Sequence, residues 1–261
     1  MIGRRQIPVA HQAWNRRWGA PYGTVWRHVL RRPRLRALAP RLVGPFGFQP
    51  DNAITRSFEY PWAFHAVPVR PGLRALEIGG SLAGLQFALA KSGVSVVNVD
   101  PGEKAVMGWP VNQDSIGRLN RAFGTDVELR NAFLEEAGLP AASFDLVYSI
   151  STIEHIPPDA LPSLMAEVNR LLVPGGHFVL TVDLFLDLAP FSYETENIAG
   201  RNIDVKWLVD ASGLELVQGD PAELYGYPEF DPKQVLGRLF SYQYGIFYPA
   251  VAQALVLRKP A

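Results

Sequence analysis

Glu77-Ile78-Gly79-Gly80-Ser81-Leu82-Ala83-Gly84, followed 23 residues after Glu77 by Asp100, is the stretch whose residue types and spacing best suit chemistry. Glycines directly after an apolar run carry no Cβ, so the backbone can approach a ligand closely. The N-terminus of a following helix is then left facing a polar group. Asp100 ends the next apolar run. An acid at that spacing is placed to accept hydrogen bonds from both hydroxyls of a ribose, which marks the ligand as a nucleoside derivative. The glycine turn alone is equally what any tight turn requires; turn and spaced acid together favour the nucleoside.

These residues need a scaffold, and the apolar runs supply one. Residues 73–78 form a short apolar run ending at Gly79-Gly80, residues 82–92 carry helical periodicity, and residues 94–99 are rich in β-branched side chains. Further strands are expected at 127–129, 144–150, 177–182, 214–217 and 251–257. Helices are expected at 161–172, closed by Pro174-Gly175-Gly176, and at 205–211, stopped by Gly213. This alternation predicts an α/β domain over residues 71–261, a doubly wound, parallel sheet with helices on both faces. Its ligand site lies at the carboxyl ends of the strands, near the switch in strand order. Residues 1–70 read as a basic N-terminal arm with helices at 22–31 and 34–42, broken by Pro33, Pro40, Pro45 and Pro50.

With these elements in place, the sequence resembles the class I S-adenosylmethionine-dependent methyltransferases, particularly the broad group that acts on small molecules. Glu77-Ile78-Gly79-Gly80 is similar to that family's first motif, acid-x-Gly-x-Gly-x-Gly, and Val97-Asn98-Val99-Asp100 to its second-strand acid. Asn131-Ala132-Phe133 stands where the family contacts adenine. Phe144-Asp145-Leu146-Val147-Tyr148-Ser149-Ile150, running into Thr152-Ile153-Glu154-His155-Ile156, resembles its fourth-strand pattern. Leu171-Leu172-Val173-Pro174-Gly175-Gly176-His177-Phe178 resembles its helix-to-fifth-strand signature and is the most specific match. The resemblance is close over residues 72–182 and rests on strand–helix order alone over 200–258.

The resemblance implies a Rossmann-like, seven-stranded, mostly parallel sheet, S-adenosyl-L-methionine as cofactor, and no metal. It assigns cofactor contacts to Glu77, Gly79, Gly80, Ser81, Gly84, Asp100, Asn131, Ala132, Phe133, Ser149 and Ile150. Ser81 and Ala83 stand where the family usually has its second and third glycines. Both are small enough to pass beside a ligand, so the loop path is expected to differ while binding survives.

Methyl transfer is an in-line displacement, so positioning is the main task, with a base needed when the acceptor carries a proton. His155, just past the fourth strand and with an ordinary pKa of about 6.5, is the candidate catalytic base. Its bland alternative is a packing role at the Ile156-Pro157-Pro158 turn. Glu154 reads as a solvated or helix-capping acid, and Tyr60 with Trp62 as a lid over the cofactor. The aromatic side chains from Tyr225 to Tyr248 read as half core and half acceptor wall.

Two other enzyme classes fit less well. Gly79-Gly80-Ser81-Leu82-Ala83 superficially matches a hydrolase nucleophile elbow. Its acid and histidine, drawn from Asp145, Asp183 and His177, are poorly ordered along the chain for that role. A short-chain dehydrogenase needs a tyrosine followed four residues later by a lysine, and none is present.

Composition bounds the rest. Of 261 residues, 48% are hydrophobic and 19% charged, which supports a sizeable core. The absence of cysteine excludes disulfides, thiolate metal sites and a cysteine nucleophile. The net charge is zero, yet the first 50 residues hold ten arginines and no acid. That arm is a candidate for contact through residues 1–41 with nucleic acid or an anionic surface, or for packing on the acidic remainder. No apolar run reaches the length of a membrane span and no signal-peptide core is present, so a cytoplasmic protein is expected. Arginine makes up 20 of the 25 basic residues, which points to a GC-rich bacterial genome and to a small-molecule or sugar acceptor in biosynthesis. The alternatives are a cofactor-binding relic without activity and an RNA or protein methyltransferase guided by the arm.

Overall fold

A computed structural model of the chain describes residues 1–20, 44–46, 54–105, 108, 110–245 and 249–261. The helices expected at 22–31 and 34–42 lie outside them, as do Phe247 and Tyr248. In chain order the helices are α1 (Val9–Trp18), α2 (Arg56–His65), α3 (Gly84–Lys91), α4 (Gln113–Phe123), α5 (Leu161–Leu171), α6 (Val205–Ser212) and α7 (Pro232–Gly237). The strands are β1 (Arg74–Ile78), β2 (Ser95–Val99), β3 (Glu128–Arg130), β4 (Phe144–Ile150), β5 (Leu172–Phe185), β6 (Glu215–Gln218) and β7 (Ala250–Arg258).

The seven strands form one sheet in the order β3-β2-β1-β4-β5-β7-β6. All neighbours are parallel except those of β7, which runs antiparallel to both β5 and β6. Strand order reverses between β1 and β4, so the carboxyl ends of these two strands flank the crevice where such a sheet takes its ligand.

Alternation of side chains splits the core into two layers. Along β4 and β5, Leu146, Tyr148 and Val179 face α1, α2, α3 and α4, whereas Phe144, Val147, Phe178 and Leu180 face α5 and α6. Both faces of the sheet are buried, which is why its strands read as continuous apolar runs.

The expected strands are all present, and β5 is longer than the six residues read for it. Pro174-Gly175-Gly176 is part of an irregular first half of β5, where the pairing with β4 slips between Phe144 and Leu146. The aromatic stretch before β1 forms the helix α2. Its Phe58 and Trp62 are buried in one cluster with Trp14, Trp18 and Phe46, so Trp62 is core and no lid. Pro61 sits inside α2 and removes the N–H that would bond the Ser57 carbonyl. That carbonyl instead accepts from Asn15 Nδ2 of α1 at 2.8 Å.

The described part of the basic arm is therefore packed onto the domain. Ile2 is fully buried and bridges Gln253 of β7, and Arg4 pairs with Glu223 at 2.7 Å. Among the described residues, no helix is long and apolar enough to cross a membrane.

Candidate active site

The turn after β1 is built from backbone. Gly79 adopts φ +65° and donates its N–H to Val99 O at 2.9 Å. A Cβ there would collide with the Thr152 side chain, and one on Gly80 would lie 2.8 Å from Asn98 Oδ1. Ser81 has φ 43°, a left-handed conformation that glycine adopts without cost. Its N–H donates to Asp100 Oδ2 at 2.7 Å, while Gly102 N–H donates to Oδ1 at 2.7 Å. Asp100 is thus fixed by the turn after β1 and by its own loop after β2. Each carboxylate oxygen keeps a second acceptor position for a ribose hydroxyl.

Two buried amides that the sequence reading missed hold this turn. Gln86 Nε2 donates to the carbonyls of Gly80 at 3.2 Å, Ser81 at 3.1 Å and Ala83 at 3.0 Å. Asn98 Nδ2 donates to Ser81 O at 2.8 Å and to Gln86 Oε1 at 3.0 Å. The amides supply the rigidity that lets serine and alanine stand at glycine positions. Asn98, two residues before the acid that follows β2, was the available signal.

Asn131 follows β3 and donates from Nδ2 to Asp100 O at 2.8 Å, which brings the proposed adenine end beside the ribose acid. Phe133 is 42% exposed at the same edge. Ser149 lies in register with Ile78, directly beside the turn, and its Oγ has no protein partner. Ile150 ends β4 with only 9% of its surface exposed.

Glu77 is 2% exposed, and its Oε2 has no partner. Burial, and then the charge of Asp100, push its carboxyl up to about 8. Asn98 and Tyr148 flank it in register, and its charge together with burial raises the Tyr60 and Tyr148 hydroxyls. A buried acid with one unpartnered oxygen suits a cation. S-adenosylmethionine carries a sulfonium and an ammonium, so the residues present fit that group.

The second half of the site lies beyond the same edge, at the ends of β4 and β5. Ser151 (φ 45°) and Thr152 turn the chain, and Thr152 packs on Gly79. Above them, Arg56 Nη1 of α2 donates to Glu59 and, at 2.5 Å, to Ser151 Oγ. Glu59 Oε1 accepts from Ser151 Oγ at 2.6 Å and from Thr181 Oγ1 at 2.7 Å. Burial pushes Glu59 up, but Arg56 and the two hydroxyls outweigh it and hold the carboxyl below its ordinary range.

Glu154 is not the solvated acid expected from the sequence. It is 1% exposed, because loop residues 199–201 fold over it: Arg201 N–H donates to Glu154 O at 3.3 Å, and a Cβ on Gly200 would strike that carbonyl. Its Oε1 accepts from Asp183 N–H at 3.2 Å, its Oε2 has no partner, and burial pushes it up to about 7. Asp183 is raised well above its ordinary value by burial, then by Glu154 and Glu59. His155 is held down by burial against the opposing charge of Asp183, which leaves its imidazole neutral at pH 7. Its Nδ1 has no hydrogen-bond partner.

The remaining candidates fall elsewhere. His177 pairs with Leu146, far from the carboxyl edge that carries Ser81, so the hydrolase constellation does not assemble. Tyr242 is buried and donates to Glu223 at 3.1 Å, while Tyr225 and Phe230 pack against a small core with Ile2 and Leu184. Tyr60 is buried on α2 among Arg56, Glu59 and Glu77, as a fixed wall and not a moving lid.

This geometry has known counterparts. The family described as "Methyltransferase domain" matches residues 76–180, the segment from β1 into β5. The structure of a 1,6-didemethyltoxoflavin-N1-methyltransferase from Burkholderia thailandensis, with S-adenosylhomocysteine bound, shares the fold. Its TM-score is 0.56 at 18% identity, covering 100% of this chain and 95% of that one. Residues 76–180 are a methyltransferase domain, set in a fold shared with an S-adenosylhomocysteine-bound methyltransferase.

Two sequence relatives agree with that placement. An uncharacterized methyltransferase of Synechocystis sp. is 29% identical over 199 residues, which is 63% of this methyltransferase and 87% of the relative. A ubiquinone biosynthesis O-methyltransferase of Rhizobium etli is 30% identical over 139 residues, or 52% of this chain. The match spans 50% of the length of that relative.

Proposed function

We propose that this methyltransferase transfers a methyl group to a small-molecule acceptor in bacterial biosynthesis, in the cytoplasm. In this reading residues 71–261 carry the chemistry, and the described part of residues 1–70 packs against them. The observation that carries the proposal is the seam at Thr152. Its side chain packs on Gly79 of the cofactor turn, while its carbonyl accepts the His155 N–H at 3.1 Å, so binding turn and candidate base share one wall.

Asp100 would hold the ribose, Asn131, Ala132 and Phe133 the adenine, and Glu77, Ser149 and Ile150 the methionine end beside Gly79, Gly80, Ser81 and Gly84. When bound, S-adenosylmethionine supplies a methyl group on a sulfonium, so a nucleophile takes that carbon as the C–S electron pair returns to sulfur. The protein's share is to exclude water, orient the acceptor and receive its proton on His155. The Rhizobium etli relative, named for O-methylation in a biosynthetic pathway, supports a small acceptor.

Isothermal titration calorimetry with S-adenosylhomocysteine tests the binding half, and binding is expected in the micromolar range. Absence of heat would remove the proposal.

A further inference from the structure

The charges at the ends of β4 and β5 do not balance. Glu59, Glu154 and Asp183 converge there, and among the described residues the guanidinium facing them, Arg56, is committed to Glu59 and Ser151. Glu59 is further satisfied by two hydroxyls. Glu154 and Asp183 are left over. Glu154 has a buried Oε2 with no partner, and the Asp183 carboxyl lies 3.3 Å from a Ser151 Oγ whose one proton goes to Glu59. Buried carboxylates without partners are costly, and the remedies are a proton or a cation.

Resting on the function proposed above, we infer that the methyl acceptor is an amine that arrives as its ammonium ion. Glu154 and Asp183 receive it and His155 deprotonates it. An ammonium offers three N–H donors, which match Glu154 Oε2, Asp183 and the unpartnered Nδ1 of the neutral His155. One proton passes to the imidazole, whose cationic form Asp183 favours. The freed nitrogen lone pair forms the C–N bond as the C–S bond breaks toward sulfur. The two positive charges of ammonium and sulfonium end on imidazolium and methylated ammonium, and the two carboxylates balance them. A carboxylate or phosphate acceptor would meet like charge at the same place. Among the described residues no three of these side chains stand in metal-ligating geometry, so the cation the site suits is organic.

The sign of the pH effect follows from the groups around Glu154, namely Arg56 and Glu59 from α2, Asp183 from β5 and the adjacent His155. Glu154 holds its proton up to about pH 7 and must release it to receive a cation. Ammonium binding therefore strengthens as pH rises through that value.

The test begins with calorimetry of S-adenosylhomocysteine; no binding there would overturn the functional reading and this inference with it. On the saturated protein, Tm is then measured with methylammonium chloride, sodium acetate, magnesium chloride or methanol, the salts at matched ionic strength. Methylammonium at roughly ten times its dissociation constant should raise Tm by about 2–4 °C, more at pH 8 than at pH 6. Acetate, magnesium and methanol should not, and Glu154→Gln or Asp183→Asn should abolish the shift. If S-adenosylhomocysteine binds, the inference falls on any of three results: no methylammonium shift, an equal shift from another additive, or a shift that survives in both variants.

Discussion

The backbone N–H of Ser81 and the carboxylate of Asp100 are bonded at 2.7 Å, so the turn that must admit the cofactor is tied to the acid that would hold its ribose. Asp100→Ala therefore removes the anchors of Ser81 and Gly102 as well as two ribose acceptors. A charged hydrogen bond contributes about 1.5–3 kcal/mol, so S-adenosylhomocysteine affinity should fall roughly tenfold to hundredfold. Calorimetry on Asp100→Ala measures this, and unchanged affinity would refute the assignment.

Ser81→Gly should be nearly silent. The left-handed φ of 43° costs serine about 1 kcal/mol or more, and glycine relieves it while adding about 0.5–1 kcal/mol of unfolded-state entropy. Cofactor affinity should stay within about twofold, read by the same titration. Covalent labelling of Ser81 by a fluorophosphonate would instead identify a nucleophile.

Glu77 should make the ligand-free protein less stable as pH rises. Its folded pKa, about 8, lies above its ordinary value of 4.5, so its stabilising effect is complete below 4.5 and is lost as pH climbs toward 8. The loss is about 1.4 kcal/mol per pH unit across that window. Glu77→Gln should flatten the fall in Tm between pH 5 and 8, roughly. A wild-type curve parallel to that of Glu77→Gln would show that Glu77 ionises freely.

His155→Ala should lower turnover roughly 10²–10⁴-fold once an acceptor is in hand, because it removes the proton acceptor. Affinity for S-adenosylhomocysteine should remain within about twofold, since the role belongs to the transition state. Loss of cofactor binding in this variant would make His155 a packing residue.

How much of this was legible depended on whether the signal was local. The central strands were readable because burial on both faces makes them unbroken apolar runs, as at Val96, Val97 and Val99. Helix α4 was overlooked, although Asn112 and Ser115 form a capping box before it and Gly124 closes it. Helix α2 was hidden by Pro61, because the residue that makes the proline tolerable, Asn15, lies 42 positions before the Ser57 whose carbonyl it bonds. The acid–base cluster was the least readable part. Arg56 reaches Ser151 across 95 positions and Glu59 reaches Thr181 across 122, and no local pattern announces such partners. Glu154 looked solvated for the same reason, since its cover comes from residues 199–201.

The place of β7 between β5 and β6 imposes an order of assembly on the ribosome. Strand β6 is synthesised before β7 yet has no neighbour in the sheet until β7 arrives. Through that interval the 14-residue β5 presents one side of its backbone unpaired, and it is rich in apolar side chains. A strand edge of that kind recruits other chains. Chains that stall before residue 250 should therefore collect in aggregates or on chaperones, and completion of the sheet falls on the nine residues of β7.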